Sequence, residues 1–137
     1  MSNFTPAEIA YLQSQRLGRL ATVDAAGNPH VVPVAFRYNP ELETIDVGGH
    51  GIARSKKYRD VAHSGRAAFV VDDLASVDPW RPRMLEIRGR AEVVATGGQE
   101  IMPAFDPELM RIFPRRIAEF GVAADLIEYK VNSRTVE

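Results

Sequence analysis

The chain contains no cysteine among its 137 residues. Without thiols it can form no disulfide, no thiolate metal site and no cysteine nucleophile. It also has no apolar run near the roughly 20 residues needed to cross a membrane. Its first residues lack the basic start and the apolar run of a signal peptide. These absences predict a protein of the reducing cytoplasm that is not embedded in a membrane.

Excess charge of either sign is also missing. The formal net charge is −1, so bulk attraction to nucleic acid or to acidic lipid is weak, and neither is an expected partner. The three histidines show no metal-ligand spacing and no acidic cluster joins them, so no metal site is predicted. The chain has neither a nucleophile elbow nor a P-loop, which argues against hydrolase chemistry.

Short β-strands dominate what is present. Alternating apolar residues bounded by turn residues predict six strands, at residues 18–23, 30–38, 44–48, 67–72, 84–94 and 126–136. Mostly adjacent antiparallel strands with helices in the connections are typical of a small barrel. The length and the even spread of apolar residues fit one domain over residues 1–137. The prediction is a mainly β, six-stranded antiparallel barrel.

Helices are predicted in the connections between these strands. Thr5 and Glu8 form a capping box for a helix over residues 5–15. Ser55 and Gly65 bound a second helix over residues 55–64. Residues 106–120 have helical apolar spacing, with Pro114 as a break or kink. Residues 73–83 are predicted to be an exposed connection.

The most informative segment is the start of the second helix. Arg54, Lys56, Lys57 and Arg59 surround the N-cap candidate Ser55, where free backbone N–H groups already carry partial positive charge. Cations are unfavourable there unless an anion such as phosphate neutralises them. One interpretation is therefore a phosphate site, and the other is a solvated basic turn.

Pro33 interrupts a strong strand, and proline cannot donate to a strand ladder. One interpretation is an ordinary edge strand. The other is a strand whose backbone faces a planar ring, with Val32 and Val34 forming hydrogen bonds to the polar edge of that ring. His50 lies in the glycine-rich break before the second helix and is a candidate ligand contact. His50 and Tyr58 are the candidate proton donors, and protonation from solvent is the alternative.

Two further features could serve a binding site or a subunit contact. Trp80 is the only tryptophan and lies in the predicted loop, as a ring platform, a subunit contact or a simple anchor. Arg111, Arg115 and Arg116 are interpreted as the polar face of the late helix. The apolar residues of that segment suit packing against a partner chain.

These motifs, in this order, resemble the pyridoxamine 5′-phosphate oxidase-like flavin and deazaflavin proteins. The matching segments are His30-Val-Val-Pro-Val, Arg54-Ser-Lys-Lys-Tyr-Arg-Asp-Val, Arg66-Ala-Ala-Phe-Val-Val-Asp-Asp, Glu86-Ile-Arg-Gly-Arg-Ala-Glu and Ile112-Phe-Pro-Arg-Arg-Ile-Ala-Glu-Phe-Gly. The last of these is most similar to the subgroup that depends on coenzyme F420. The chain lacks the C-terminal arginine motif of true pyridoxamine phosphate oxidases, which argues against vitamin B6 oxidation.

The resemblance implies a split β-barrel of the FMN-binding type that forms a homodimer with cofactor sites between the subunits. It implies that the backbone around Val32, Pro33 and Val34 lines a flavin or deazaflavin ring. The phosphate would be bound by Ser55, Lys56 and Lys57, with Arg54 nearby. Trp80 would form one wall of the partner's cofactor site. The expected function is F420-dependent reduction of a small molecule. The alternatives are an FMN- or FAD-dependent oxidoreductase and a non-catalytic flavin- or haem-binding protein.

Overall fold

The computed structural model describes residues 2–123 and 130–136, and its strands all belong to one sheet. Two short 3-10 turns, Ile52–Arg54 and Gly98–Glu100, lie in the connections. The helices and strands, in chain order, are α1 (Pro6–Ser14), β1 (Leu17–Val23), β2 (Pro29–Asn39), β3 (Thr44–Gly48), α2 (Lys56–Ser64), β4 (Arg66–Ser76), β5 (Arg81–Val94), β6 (Leu109–Phe120) and β7 (Asn132–Thr135).

The first six strands close into an antiparallel barrel. Their order is β3-β2-β1-β4-β5-β6, and β3 also pairs with β6, where Ile45 lies opposite Ile112. β7 is an additional strand that pairs with β6 alone. Side chains such as Leu20, Phe69 and Leu85 are fully buried inside the barrel, and their removal from water is the main stabilising contribution. The predicted six-stranded antiparallel barrel is confirmed.

Both capped helices are confirmed. The Thr5 side chain accepts a hydrogen bond from the Glu8 backbone N–H, and the Glu8 carboxylate accepts one from the Thr5 backbone N–H. Ser55 is the N-cap of α2, and Gly65 ends that helix with a φ of 71°. A left-handed residue at this position is most easily a glycine, because a side chain would be strained there.

The helix predicted over residues 106–120 is wrong, because this segment contains the long strand β6. Pairing with β5 and β3 imposes a strand on it. The helical spacing is misleading because the register shifts between Arg88 and Gly89, which lie opposite Arg116 and Pro114. Arg115 is thus the extra residue of a β-bulge, and a bulge reverses the alternation of inward and outward residues. Pro114 lies at this irregularity, where strands tolerate proline.

The bulge also explains why residue 89 is a glycine. A Cβ atom added to Gly89 would collide with the backbone carbonyl oxygen of Phe113, and this backbone atom is fixed by the barrel. We expect Gly89→Ala to lower the free energy of unfolding by about 1–3 kcal/mol, as overpacked interiors do. Gly49→Ala is the matched control, since its Cβ would meet only the tip of Ile52 at 3.5 Å. Equal urea midpoints for the two variants would contradict the assigned bulge.

Two other predicted boundaries change. The loop predicted over residues 73–83 is reduced to residues 77–80, because β4 and β5 remain paired as far as Ser76 and Arg81. An ion pair also joins these two strands, with the Arg83 guanidinium 2.6 Å from the Asp73 carboxylate. The last strand, predicted over residues 126–136, is observed as β7, and residues 126–129 lie outside the described residues.

A buried ion pair fastens β3 to β6 where the barrel closes. Asp46 is 2% exposed, and the Arg111 guanidinium donates to both of its carboxylate oxygens at 3.0 Å. Asn39 and Thr44 donate to the same carboxylate. Arg111 was expected on the polar face of a helix, and that interpretation is wrong. Its charge is instead neutralised by a buried carboxylate on the neighbouring strand β3.

Candidate functional site

The barrel is split beside the middle of β2. β2 pairs with β1 from Pro29 to Ala35, but it pairs with β3 only from Ala35 to Asn39. β3 ends at Gly48, opposite Ala35, and the chain then leaves the barrel toward α2. Among the described residues, no second strand therefore pairs with β2 over residues 29–34. This stretch includes Val32, Pro33 and Val34, and it leaves one side of their backbone open.

The open stretch of β2 offers its backbone rather than its valine side chains. Val34 is buried in the core, whereas Val31 is 65% exposed on the other face of the strand. Pro33 has no backbone N–H, so any donor along this stretch belongs to another residue, and Val32 and Val34 are the candidates. A flat molecule with hydrogen-bonding groups along one edge suits such a surface.

The start of α2 presents two backbone donors that have no hydrogen-bond partner among the described residues. The Ser55 hydroxyl accepts a hydrogen bond from the Tyr58 N–H and donates one to the Ile52 carbonyl oxygen at 2.6 Å. That hydroxyl is therefore engaged within its own turn. The N–H groups of Lys56 and Lys57 remain at the positive end of the helix, where an anion is favoured.

The two lysines at this helix start have different surroundings. The Lys56 ammonium lies 3.3 Å from Asp60 and 3.6 Å from Asp24. Asp60 is 5% exposed and also accepts a hydrogen bond from the Thr22 hydroxyl at 2.8 Å. Lys56 therefore neutralises a buried carboxylate and ties α2 to the hairpin of β1 and β2.

Lys57 has no such partner. Its side chain is partly buried, and among the described residues no carboxylate lies within ion-pair distance of its ammonium group. Burial lowers the pKa of Lys57 because the charged form loses hydration. A partly buried, uncompensated cation beside two free N–H groups fits an incoming phosphate, which would restore the lost electrostatic stabilisation.

The other cations of the segment lie at its surface. The Arg59 guanidinium donates to the Arg54 carbonyl oxygen at 2.8 Å, and both side chains are exposed. Among the described residues, Asp24 and Asp60 are the carboxylates that form ion pairs with this segment, and both do so with Lys56. Positive charge thus remains in excess around Lys57.

His50 and Tyr58 flank the entrance to α2. The His50 ring is exposed and meets the edge of Phe105 with ring centroids 5.4 Å apart. Desolvation by burial and the nearby Glu108 carboxylate raise the pKa of Tyr58. The tyrosine hydroxyl therefore stays protonated at neutral pH and can act as a donor.

The fold separates Trp80 from the start of α2. Ala21 pairs with Ala68 and Arg19 with Val70, so β4 runs away from the end of β1 that leads to Asp24. Trp80 lies beyond the far end of β4, roughly 20 Å further along at the usual strand rise. It cannot reach the α2 start of its own chain.

Sequence reasoning missed the polar residues that support this site. Asp60 could have been found, since Lys56 and Asp60 have the (i, i+4) spacing of a helical ion pair. Asp24 and Thr22 could not, because the barrel alone brings them to α2. His30, opposite Thr22 in the β1–β2 ladder, has a buried Nδ1 atom without a hydrogen-bond partner among the described residues.

No group of three or more potential metal ligands occurs among residues 2–123 and 130–136. Within the same residues, no helix is both long enough and apolar enough to cross a membrane. The residues present instead suit a phosphorylated, planar organic group, with Lys57 and the α2 donors for its phosphate and the open stretch of β2 for its ring edge.

A family profile and a relative of known name match most of this chain. The profile of the pyridoxamine 5′-phosphate oxidase family matches residues 4–124. A 5a,11a-dehydrotetracycline/5a,11a-dehydrooxytetracycline reductase from Streptomyces rimosus is 48% identical over 123 residues, which cover 90% of this chain and 87% of the reductase.

Solved structures share the fold at lower identity. An FAD-binding protein from Mycobacterium smegmatis is 22% identical with a TM-score of 0.61, covering 87% of this chain and 96% of that protein. A haem-binding protein from the same organism is 19% identical with a TM-score of 0.67, covering 98% of this chain and 60% of that protein.

Proposed function

This chain belongs to the pyridoxamine 5′-phosphate oxidase family, and we propose that it is a reductase that binds coenzyme F420 and reduces an unsaturated small molecule. The chain is an oxidoreductase, as its family and a reductase of 48% identity indicate. The name of that relative describes reduction of a 5a,11a-dehydro compound, which carries a carbon–carbon double bond. A conjugated polycyclic substrate of that class is therefore the proposed one for this chain.

The observation that carries the proposal is that Lys57, at the α2 start, has no ion pair within the part of the chain that the structure describes. In the proposed complex its ammonium and the backbone N–H groups of Lys56 and Lys57 bind the cofactor phosphate, with Arg54 close to the same tail. Ser55 supports this site by holding the first turn of α2 rather than by donating its hydroxyl. Lys56 acts mainly by fixing that turn to Asp60 and Asp24.

The backbone of Val32, Pro33 and Val34 is proposed to bind the polar edge of the cofactor ring. When bound, a reduced deazaflavin supplies hydride, and the protein's part is to orient the ring and exclude water. Reduction of a double bond also needs a proton. Tyr58, kept protonated by its raised pKa, and His50 are the candidate donors, and solvent is the alternative source.

A homodimer is part of the proposal. Trp80 lies at the end of the barrel away from α2. It can therefore form part of a cofactor site at an α2 start only if that site belongs to a second copy of the chain. Trp80 is 56% exposed, and its neighbours Leu74 and Val77 are exposed as well, which favours coverage by another chain. We also propose a cytoplasmic location, supported by the cysteine-free sequence.

Two alternatives differ from the leading proposal in cofactor or in class. FMN- or FAD-dependent oxidoreduction has the same phosphate requirement, and an FAD-binding protein shares the fold. A non-catalytic flavin- or haem-binding protein is the second alternative, because a haem-binding protein also shares the fold and one fold serves many functions. The visible spectrum of the purified protein separates haem and FMN from a colourless form.

Equilibrium titration with F420 and with FMN tests the choice of cofactor. We expect F420 to bind more tightly, as measured by the change in cofactor fluorescence on addition of the full chain. Micromolar binding of FMN together with no binding of F420 would reject the leading proposal and select the flavin alternative. Conversion of a 5a,11a-dehydrotetracycline by the protein loaded with reduced F420, with oxidation of the cofactor followed by absorbance, then tests the substrate class.

A further inference from the structure

We propose that a trough on the outer surface of the barrel is a second binding site, for a flat anionic small molecule. The trough has a volume of about 480 Å³, within the range of small-molecule sites. Its floor and walls include Ala21, Val23, Pro29, Ala68 and Gly89, and its rim consists of Arg66, Arg88, Arg90 and Arg115.

Small outward-facing residues create the depression. Ala21 of β1 lies opposite Ala68 of β4, and Ala68 lies opposite Arg88 of β5. Two neighbouring strands therefore carry only methyl groups at this level of the outer surface, beside the glycine of the bulge. The result is a flat apolar floor of the kind on which a planar ring system can lie.

Arginines from three strands meet above this floor. Arg88 is paired with Glu86 at 3.4 Å and Arg90 with Glu92 at 2.8 Å. The side chains of Arg66 and Arg115 have no ion pair or hydrogen bond among the described residues. A chain with a net charge of −1 thus carries two uncompensated guanidinium groups at one concave surface.

The bulge in β6 is what brings Arg115 to the trough. The other two arginines of this strand already have partners. Arg111 is neutralised by Asp46, and Arg116 donates hydrogen bonds to Thr135 and Ser133. Arg115 is the extra residue of the bulge, is exposed and lines the trough. Bulges often redirect a side chain toward a functional site.

The lining defines the chemical class of the ligand. Guanidinium groups bind carboxylate, sulfonate or enolate oxygens with a planar pair of donors, and the apolar floor suits an aromatic or alicyclic body. The site is separate from the α2 start. Among the described residues, those that line the trough come from β1, β2, β4, β5 and β6 and none from α2, although Thr22, which also lines it, donates a hydrogen bond to Asp60. The proposal does not depend on the cofactor.

The test uses 8-anilinonaphthalene-1-sulfonate, a flat aromatic sulfonate, and its neutral relative N-phenyl-1-naphthylamine. Fluorescence titration compares the full-length protein with the double variant Arg66→Gln, Arg115→Gln. We expect the sulfonate to bind roughly tenfold or more weakly to the variant, since charge-assisted hydrogen bonds are lost, while binding of the neutral dye is unchanged. The matched control is Arg16→Gln, Arg81→Gln, which removes two exposed arginines outside the trough.

Equal sulfonate affinity for the wild type and the trough variant would overturn the proposal. A second outcome would also overturn it: light scattering shows that the trough variant has lost its oligomeric state, while its affinity for the sulfonate dye is unchanged. The trough would then be an interface between two copies of the chain. If the variant fails to fold, the proposal is tested instead by the salt dependence of dye binding to the wild-type protein. Added salt must weaken binding of the sulfonate and leave the neutral dye unaffected.

Discussion

Replacing Lys57 with methionine is expected to weaken binding of FMN or F420 by about tenfold to a hundredfold without lowering the stability of the protein. Methionine keeps the unbranched apolar stem and removes the charge. The loss corresponds to one charge-assisted hydrogen bond to phosphate, worth about 1.5–3 kcal/mol. Cofactor fluorescence titration measures the affinity, and urea denaturation measures the free energy of unfolding.

The expected stability follows from the pKa of Lys57, which burial lowers in the folded state. A lysine whose folded pKa is below its unfolded pKa reduces stability while it is charged; this loss is fully present below the lowered pKa and disappears only as the pH rises above the unfolded pKa. Methionine avoids the loss at neutral pH. The free energy of unfolding of the unliganded variant should therefore equal or exceed that of the wild type.

Two controls make this result specific. Riboflavin and the phosphate-free deazaflavin lack the anion, so their affinities should not change in the Lys57→Met variant. Lys56→Met should behave differently, because it leaves the buried Asp60 carboxylate without its cation and should lower stability. An equal loss of affinity for riboflavin and FMN would show that Lys57 acts on the ring or on the fold.

Replacing Asp46 with alanine is expected to destabilise the protein by about 3–5 kcal/mol, the usual cost of removing one partner of a buried ion pair. The Arg111 guanidinium would remain between β3 and β6 without its carboxylate, and Asn39 and Thr44 would lose an acceptor. Small domains are stable by only about 5–15 kcal/mol. The measurement is urea denaturation followed by circular dichroism.

The matched control is Glu92→Ala, which removes an ion pair of 2.8 Å to Arg90 on the exposed face of β5. Exposed pairs contribute about 0–1 kcal/mol, so this variant should unfold near the wild-type midpoint. The double variant Asp46→Leu, Arg111→Met should recover much of the lost stability, because it leaves no buried charge. Similar midpoints for Asp46→Ala and Glu92→Ala would contradict the assigned role of the buried pair.

The parts of the fold that could be predicted from sequence are those set by neighbouring residues. The caps at Thr5, Ser55 and Gly65 act over a single helical turn, so they are visible in the sequence. β6 could not be recognised, because its bulge at Arg115 replaces strand alternation with helix-like spacing. The predicted number of barrel strands was right, but the sixth strand is β6 rather than the segment that contains β7.

The candidate site was predictable in the same local sense. The cluster from Arg54 to Arg59 is contiguous, so its charge and its helix start are both apparent. The difference in ion pairing between Lys56 and Lys57 could not be predicted from the sequence. It depends on Asp24, which lies 32 residues before Lys56 and reaches α2 only in the folded barrel. The separation of Trp80 from α2 likewise depends on the direction of β4.

A crystal structure of the protein with bound F420 tests the central claim most directly. We predict that the cofactor phosphate lies within hydrogen-bond distance of the Lys57 ammonium and of the Lys56 and Lys57 backbone N–H groups, with the ring beside residues 32–34. A phosphate bound elsewhere, with the start of α2 facing only solvent, would contradict the account.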